Sequence, residues 1–316
     1  MKMPHFKVAS GRSSLGLTTK VCEHLGITVS KTRVRNFSDG ELWVKFDENI
    51  RGEDLFIVQS TFSPTDNLME MLMLIDAAKR ASANRITAVI PYYGYARQDR
   101  KDQPRVSITA KLVANLLATA GADRIITLDL HSAQIQGYFD IPVDHMYASP
   151  VLIRALKKLG LDNPSFASPD AGGVKTARSY AKRFGHGSGL IVVDKRRPEH
   201  NKAVIMNIIG DVKDKNVVIV DDMIDTGNTF IKCAEALKDQ GAKSIHGVCV
   251  HPVFSGEALE NFAASKAIDK LFVTDTIPLK NKPDKIEVVS IAELLAEAIV
   301  RTHDNRSISS LFEIER

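Results

Sequence analysis

Two adjacent carboxylates, Asp221 and Asp222, follow the short β-branched run Val217–Val220. Asp225-Thr226-Gly227-Asn228-Thr229 comes next, and a helical pattern runs from Phe230 to Asp239. The apolar run reads as a buried strand. A strand that ends in a small-residue turn and opens a helix makes a phosphate cradle. The first helical turn has unbonded N–H groups, and the threonines add hydroxyls. Two carboxylates beside it would repel a bare polyphosphate but suit the hydroxyls of a sugar whose phosphate fills the cradle. The string therefore reads as a pentose-phosphate site. The plainer alternative is a capped helix after a buried strand, with solvated aspartates. The first reading is favoured because every residue type has a use in one compact ligand site.

Other segments carry chemistry less specifically. Ser168-Pro-Asp-Ala-Gly-Gly173 follows the apolar Phe166-Ala167, which puts Asp170 at a strand end, where ligands of parallel sheets gather. Asp170 could equally be a turn or helix-cap residue. Asp129-Leu-His131 also ends a strand. A lone histidine there is usually structural. It gains interest only if the two halves face each other, where diphosphate chemistry would need a hard cation, usually Mg²⁺ on oxygen ligands. Asp194-Lys-Arg-Arg197 begins a polar stretch between two strand-like runs, which reads as a flap. Lys195 and Arg197 are candidates to close over a charged transition state, against the alternative of a solvated hairpin tip. The loop Tyr92–Arg105 carries Arg97, Arg100, Lys101 and Arg105 beside three tyrosines. It could set guanidinium groups on phosphates and rings on a base, or be a solvated basic loop. There is no Gly-x4-Gly-Lys-Ser/Thr string, so ATP, if bound, is not held by a Walker A loop.

The elements that must position these groups alternate. Leu55–Val58, Ile86–Ile90, Ile125–Leu130, Leu190–Val193, Val217–Val220 and Ile245–Val250 read as strands. Asn67–Ala83, Ile108–Ala120, Gly173–Phe184 and Ile291–Thr302 read as helices. Such alternation predicts an α/β fold of mainly parallel sheets flanked by helices. It is also duplicated. Thr109, Ala114, Leu117, Gly121, Ala122, Ile125 and His131 recur 120 residues later as Thr229, Ala234, Leu237, Gly241, Ala242, Ile245 and His251. Two copies of one domain are expected, dividing near Tyr147–Pro150.

Composition sets the class. The chain has 316 residues, 44% hydrophobic and 25% charged, with a net charge of +4. That is an ordinary globular protein of two domains, too weakly basic to argue for nucleic acid. Cys22, Cys233 and Cys249 have no metal-ligand spacing, and a sparse, odd set suggests the reducing cytoplasm. No segment is apolar for long enough to span a bilayer.

Taken together, Phe37-Ser-Asp-Gly-Glu41, Asn67-Leu-Met-Glu70, Tyr95-Ala-Arg-Gln-Asp99, Asp129-Leu-His131, Gln134-Ile-Gln-Gly137, Ser168–Gly173, Asp194–Arg197 and Asp221–Thr229 resemble the ribose-phosphate diphosphokinase family. The likeness is to its phosphate-activated bacterial type, in order and spacing over nearly the whole chain. Type I phosphoribosyltransferases share only the last loop.

The resemblance implies two duplicated type I phosphoribosyltransferase-like domains: residues 1–147 on the ATP side, 148–300 on the ribose 5-phosphate side, and a tail, 301–316, packing back on the first. It implies transfer of the diphosphoryl group of ATP to the anomeric hydroxyl of ribose 5-phosphate. The products are AMP and 5-phosphoribosyl 1-diphosphate, used in nucleotide, histidine and tryptophan biosynthesis. Asp221, with Asp222, Asp225, Thr226, Gly227, Asn228 and Thr229, would bind ribose 5-phosphate, with Arg197 touching it. Phe37, Asp39, Gly40 and Glu41 would contact adenine from a neighbouring subunit, and Arg97 and Gln98 would bind ATP. His131 and Asp170 would serve Mg²⁺, and Lys195 and Arg197 would be catalytic. The resemblance further implies a homo-oligomer, usually a hexamer, with phosphate and ADP as effectors near Ser307, Ser309 and Phe312.

Asn228 stands where the family usually has glycine. The expectation is that Asn228 takes positive φ, since asparagine tolerates that region best after glycine. Two rivals remain. A phosphoribosyltransferase would leave the first domain and the flap unexplained. A non-catalytic regulatory relative would be expected to carry a disrupted catalytic region, and Lys195, Arg197 and Asp221–Thr229 are all present.

Overall fold

The first part of the chain runs β1 (Phe6–Ser10), α1 (Leu15–Leu25), β2 (Thr32–Asn36), β3 (Leu42–Phe46), β4 (Asp54–Val58), α2 (Asp66–Arg80), β5 (Arg85–Ile90), α3 (Thr109–Ala120), β6 (Arg124–Leu128) and β7 (Val143–Met146). Then come α4 (Ser149–Lys157), β8 (Ser165–Ser168), α5 (Val174–Phe184), β9 (Gly189–Arg196), β10 (Ile205–Ile209), β11 (Asn216–Ile224), α6 (Asn228–Asp239), β12 (Ser244–Pro252), α7 (Ala258–Ala264), β13 (Lys270–Thr274), β14 (Ile286–Val289) and α8 (Ala292–His303). This computed structural model describes residues 6–185, 187–196 and 205–311, with only the backbone of 194–196, 205 and 206.

Two compact units result. One holds the chain up to Tyr147, Thr276–Pro278 and the stretch from Ser290 onward. Its parallel sheet has the order β1-β4-β5-β6-β7. β4 is buried along its whole length, which is why its sequence is continuously apolar after Asp54. The core gathers Leu55, Ile57, Met71, Leu74, Ile75, Val113 and Leu117. β2 and β3 form a separate antiparallel hairpin, and β3 packs against α2.

The other unit holds Ala148–Asp275 and Leu279–Val289. Its sheet runs β10-β9-β8-β11-β12-β13-β14, parallel except for β10 against β9. Ile219, Phe230, Leu237, Ile245, Phe262 and Leu271 lie in its core.

The repeat has a structural counterpart. A glycine of positive φ follows each of α3 and α6, Gly121 (118°) at the cap and Gly241 (89°) one residue past it. In each, the next alanine N–H returns to the helix at 3.2 Å, Ala122 to the Leu117 carbonyl and Ala242 to the Leu237 carbonyl. This is a left-handed helix stop that frees the chain to enter the next strand.

A second domain ending at residue 300 differs from this division, because α8 belongs to the first unit. α8 packs against α1. The Thr302 carbonyl accepts from Arg85 Nη2 at 3.1 Å, and His303 Nδ1 lies 2.7 Å from Asp54 Oδ2. Nothing in the local periodicity of α8 says which sheet it will cover.

Candidate functional site

Within the second unit the strand order reverses between β8 and β11. From β8 the chain passes through α5 to β9 on one side; from β11 it passes through α6 to β12 on the other. The carboxyl ends of strands at such a reversal leave a crevice, the usual ligand position in open α/β sheets. β11 is longer than its apolar run suggests. Asp221 and Asp222 lie inside the strand, not after it, because β11 stays paired with β12 as far as Ile224. On its other side the pairing with β8 stops at Ile219. The two carboxylates thus occupy the overhang beside the end of β8, where Ser168–Gly173 begins.

The cradle lies between β11 and α6. Gly227 has φ of 75° and stands before the first residue of α6. A Cβ there would fall 2.5 Å from Phe262 Cε2, so the position needs glycine both for its backbone and for close packing. Phe262 stacks with Phe230 and Phe254 at centroid distances of 5.6 and 5.5 Å, a rigid apolar seat for the turn. Gly227, the residue that precedes α6, has no side chain with which to cap it. The first-turn N–H groups of α6 remain a ready anion site. The expectation of positive φ at Asn228 is overturned: Asn228 is the first residue of α6 and is absent from the positive-φ residues. The turn has its left-handed residue one position earlier, at Gly227.

Burial pushes the Asp221 carboxyl well above the ordinary carboxylate range, and the charges of Asp222 and Asp170 push it further. The Asp222 N–H donates to Asp221 Oδ1 at 3.0 Å and partly opposes the rise. Asp170 is exposed at the end of β8 and accepts the Gly173 N–H at 3.0 Å through Oδ1. Burial, then the charges of Asp221 and Asp170, also push the Cys233 thiol up to about 12. Asp170, Asp221 and Asp222 are therefore one electrostatic group.

In the first unit, Arg97 and Gln98 are exposed, but the tyrosines of their loop do not all face a ligand. Tyr92 and Tyr93 are buried, and the Tyr93 hydroxyl donates to the Ala110 carbonyl. The Gln98 carbonyl accepts the Ala110 N–H at 3.2 Å, tying the loop to the start of α3. Phe37, Asp39, Gly40 and Glu41 form the exposed tip of the β2–β3 hairpin. It is closed by Phe37 N–H to the Glu41 carbonyl at 2.8 Å and Gly40 N–H to the Phe37 carbonyl at 3.0 Å. His131 is exposed just beyond β6, where the neighbouring Leu130 N–H donates to His145 Nε2 at 3.0 Å. Ser307 and Ser309 are exposed, with the Ser307 carbonyl held by Arg301 Nη1 at 3.1 Å. Lys195 lies on β9, while Arg197 and Phe312 fall outside the described residues.

Comparison with known proteins decides the family. Residues 6–121 match the N-terminal domain of ribose phosphate pyrophosphokinase, and residues 195–313 match the phosphoribosyl synthetase-associated domain. A ribose-phosphate pyrophosphokinase of Chlorobaculum tepidum is 55% identical over 97% of this chain and 95% of its own length. One of Campylobacter jejuni is 53% identical over 98% of this chain and all of its own. The chain belongs to the ribose-phosphate pyrophosphokinase family. The crystal structure of phosphoribosylpyrophosphate synthetase from Mycobacterium smegmatis matches with a TM-score of 0.89 at 40% identity, covering 95% of this chain and 99% of that one. The fold is therefore the α/β fold of this family, with type I phosphoribosyltransferase-like domains.

Asp170, Asp221 and Asp222 offer hard oxygens, and a cation would relieve the repulsion that drives Asp221 upward. Among the described residues no three acidic, histidine or cysteine side chains form a ready metal cage. Mg²⁺ is usually held by one or two carboxylates together with water and substrate phosphates. His131 and Asp170 lie in different units. The sequence offered no signal for Phe262 as the seat of the turn, since it is distant in the chain and reads only as core.

Proposed function

We propose that this chain transfers the β,γ-diphosphoryl group of ATP to the anomeric hydroxyl of ribose 5-phosphate, giving AMP and 5-phosphoribosyl 1-diphosphate. The observation that carries this reading is the glycine-led start of α6, seated by Gly227, beside Asp221 and Asp222 at the reversal of strand order. An anion cradle next to sugar-binding carboxylates suits a pentose phosphate and not a bare polyphosphate. The 5-phosphate would sit on the first turn of α6, with Asp225, Thr226, Asn228 and Thr229 around it. Asp221 and Asp222 would hold the ring hydroxyls.

ATP would be bound by Arg97 and Gln98, with adenine meeting Phe37, Asp39, Gly40 and Glu41 of a neighbouring subunit. The anomeric oxygen attacks the β-phosphorus, the bond from that phosphorus to the α,β-bridging oxygen breaks, and AMP leaves with that oxygen. The hydroxyl proton is released to the medium. Lys195 and Arg197 would offset the charge that builds on the β-phosphoryl oxygens. Asp170 in the second unit and His131 in the first would each serve Mg²⁺, whose chemistry there would be to neutralise diphosphate charge. A cytoplasmic homo-oligomer, with phosphate and ADP acting near Ser307, Ser309 and Phe312, completes the reading. Among the described residues no helix is long and apolar enough to cross a membrane.

The test is AMP release from ATP with ribose 5-phosphate and Mg²⁺ each omitted in turn. Dependence on both is expected. Release of ADP, or AMP release without the sugar, contradicts the proposal.

A further inference from the structure

The motif Asn67–Glu70 lies on α2 and has no role in the site described above. Glu70 is wholly buried, an expensive place for a carboxylate unless both oxygens are used. Both are used, and by one residue. The Arg12 main-chain N–H donates to Glu70 Oε1, and Arg12 Nε donates to Oε2 at 2.8 Å. This fixes the plane of the guanidinium and so the direction of its remaining N–H groups. Arg12 Nη1 then donates to Asn36 Oδ1 at 2.9 Å. The same amide donates through Nδ2 to the Gly40 carbonyl at 2.9 Å. A chain of four groups thus runs from the interior of α2 to the tip of the β2–β3 hairpin.

β3 also packs on α2 through Val44 and Phe46, short of the tip, and further hydrogen bonds act at the base of the hairpin. Thr32 Oγ1 donates to the Ser10 carbonyl at 3.2 Å, and the Asp47 N–H to the Lys31 carbonyl at 2.8 Å. Within the tip, bonds join Phe37, Asp39, Gly40 and Glu41 to one another. A two-stranded hairpin is marginal alone, and this one is paired with neither main sheet. Its far end therefore depends on an anchor to the body of the unit.

We infer that Glu70 and Arg12 are positioning residues that hold the hairpin tip, through Asn36, in the conformation that meets the adenine of ATP. Arg12 touches no substrate in this account. Its effect passes through the Gly40 carbonyl and so through the residues on either side of it. The inference rests on the proposed reading that this tip contacts adenine, but the anchoring itself can be measured without catalysis.

Two variants separate the links. Arg12→Ala leaves the buried Glu70 without its partner and can weaken the fold. Asn36→Ala keeps the Glu70–Arg12 pair and removes only the final link. Amide hydrogen exchange of Phe37–Glu41 should quicken at least about tenfold in Asn36→Ala, while amides of β4 and β5 keep the parent rate. With ribose 5-phosphate and Mg²⁺ saturating, KM for ATP should rise about tenfold and kcat should stay within about twofold. Arg12→Lys should not rescue, because one ammonium cannot replace two N–H groups of a fixed fork. Unchanged tip exchange in Asn36→Ala overturns the anchoring. Faster tip exchange with an unchanged KM for ATP overturns the link to adenine. An inactive parent enzyme would count against the proposed reaction and leave the exchange result to judge the anchor.

Discussion

Gly227 and Asn228 divide what the sequence assigns to one residue. The left-handed backbone belongs to Gly227, packed against Phe262, and Asn228 is an ordinary first helical residue. Gly227→Ala should therefore cost about 1–3 kcal/mol of stability, through both φ and the clash, and should lower kcat/KM for ribose 5-phosphate more than tenfold. Asn228→Val should keep the loop, since a valine at a helical position costs less than about 1 kcal/mol. Thermal melting and steady-state kinetics of the two variants decide this, and the reverse order of severity would refute it. Lys195→Ala should lower kcat at least about a hundredfold and move the Michaelis constants far less, the pattern for a charge used mainly in the transition state. A normal kcat with a raised KM for ATP would make Lys195 a binding residue instead. The turn between β11 and α6 was legible because small polar residues between an apolar run and a helical pattern mark it locally. Which residue takes positive φ was not, because Phe262 is supplied from far along the chain.

At the scale of elements, the strands and helices with clear periodicity correspond to β4, β5, β6, β11, β12, α2, α3, α5 and α8 within a few residues. What was not legible is the extent of β11. Its last turns of pairing involve Asp221 and Asp222, which no apolar pattern marks; they are held by β12 alone. The sheet assignment of α8 was hidden for a similar reason, since its partners Arg85 and Asp54 act across the fold. β12 carries a further consequence. His246 is buried, with Nδ1 unbonded among the described residues, and burial lowers its pKa against the opposing charge of Asp269 and with that of Lys270. The unfolded chain takes up a proton as pH falls through about 6.5, and the native histidine resists. Its contribution is thus present above that pH and is lost as pH falls through the lower native value. His246→Gln should lose less stability than the parent between pH 7 and 5, measured by urea unfolding at each pH. An identical decline in both proteins would remove His246 as a cause.

At the scale of the whole molecule, the repeat was readable because a helix, its glycine stop and the following strand recur in one register. The chemistry diverges outside that register. The second copy places a glycine-led helix start beside three carboxylates, and the first places the arginine-rich loop before α3. In the proposed reaction one domain would hold the acceptor and the other the donor nucleotide. The central claim is that the β- and γ-phosphoryl groups move together. The most direct measurement is to follow ATP labelled separately at the α- and β-phosphorus during turnover with ribose 5-phosphate and Mg²⁺. The account predicts all α-label in AMP and all β-label in the sugar diphosphate, one for one. β-Label remaining with the nucleotide as ADP, or appearing as free diphosphate with no labelled sugar formed, would contradict it.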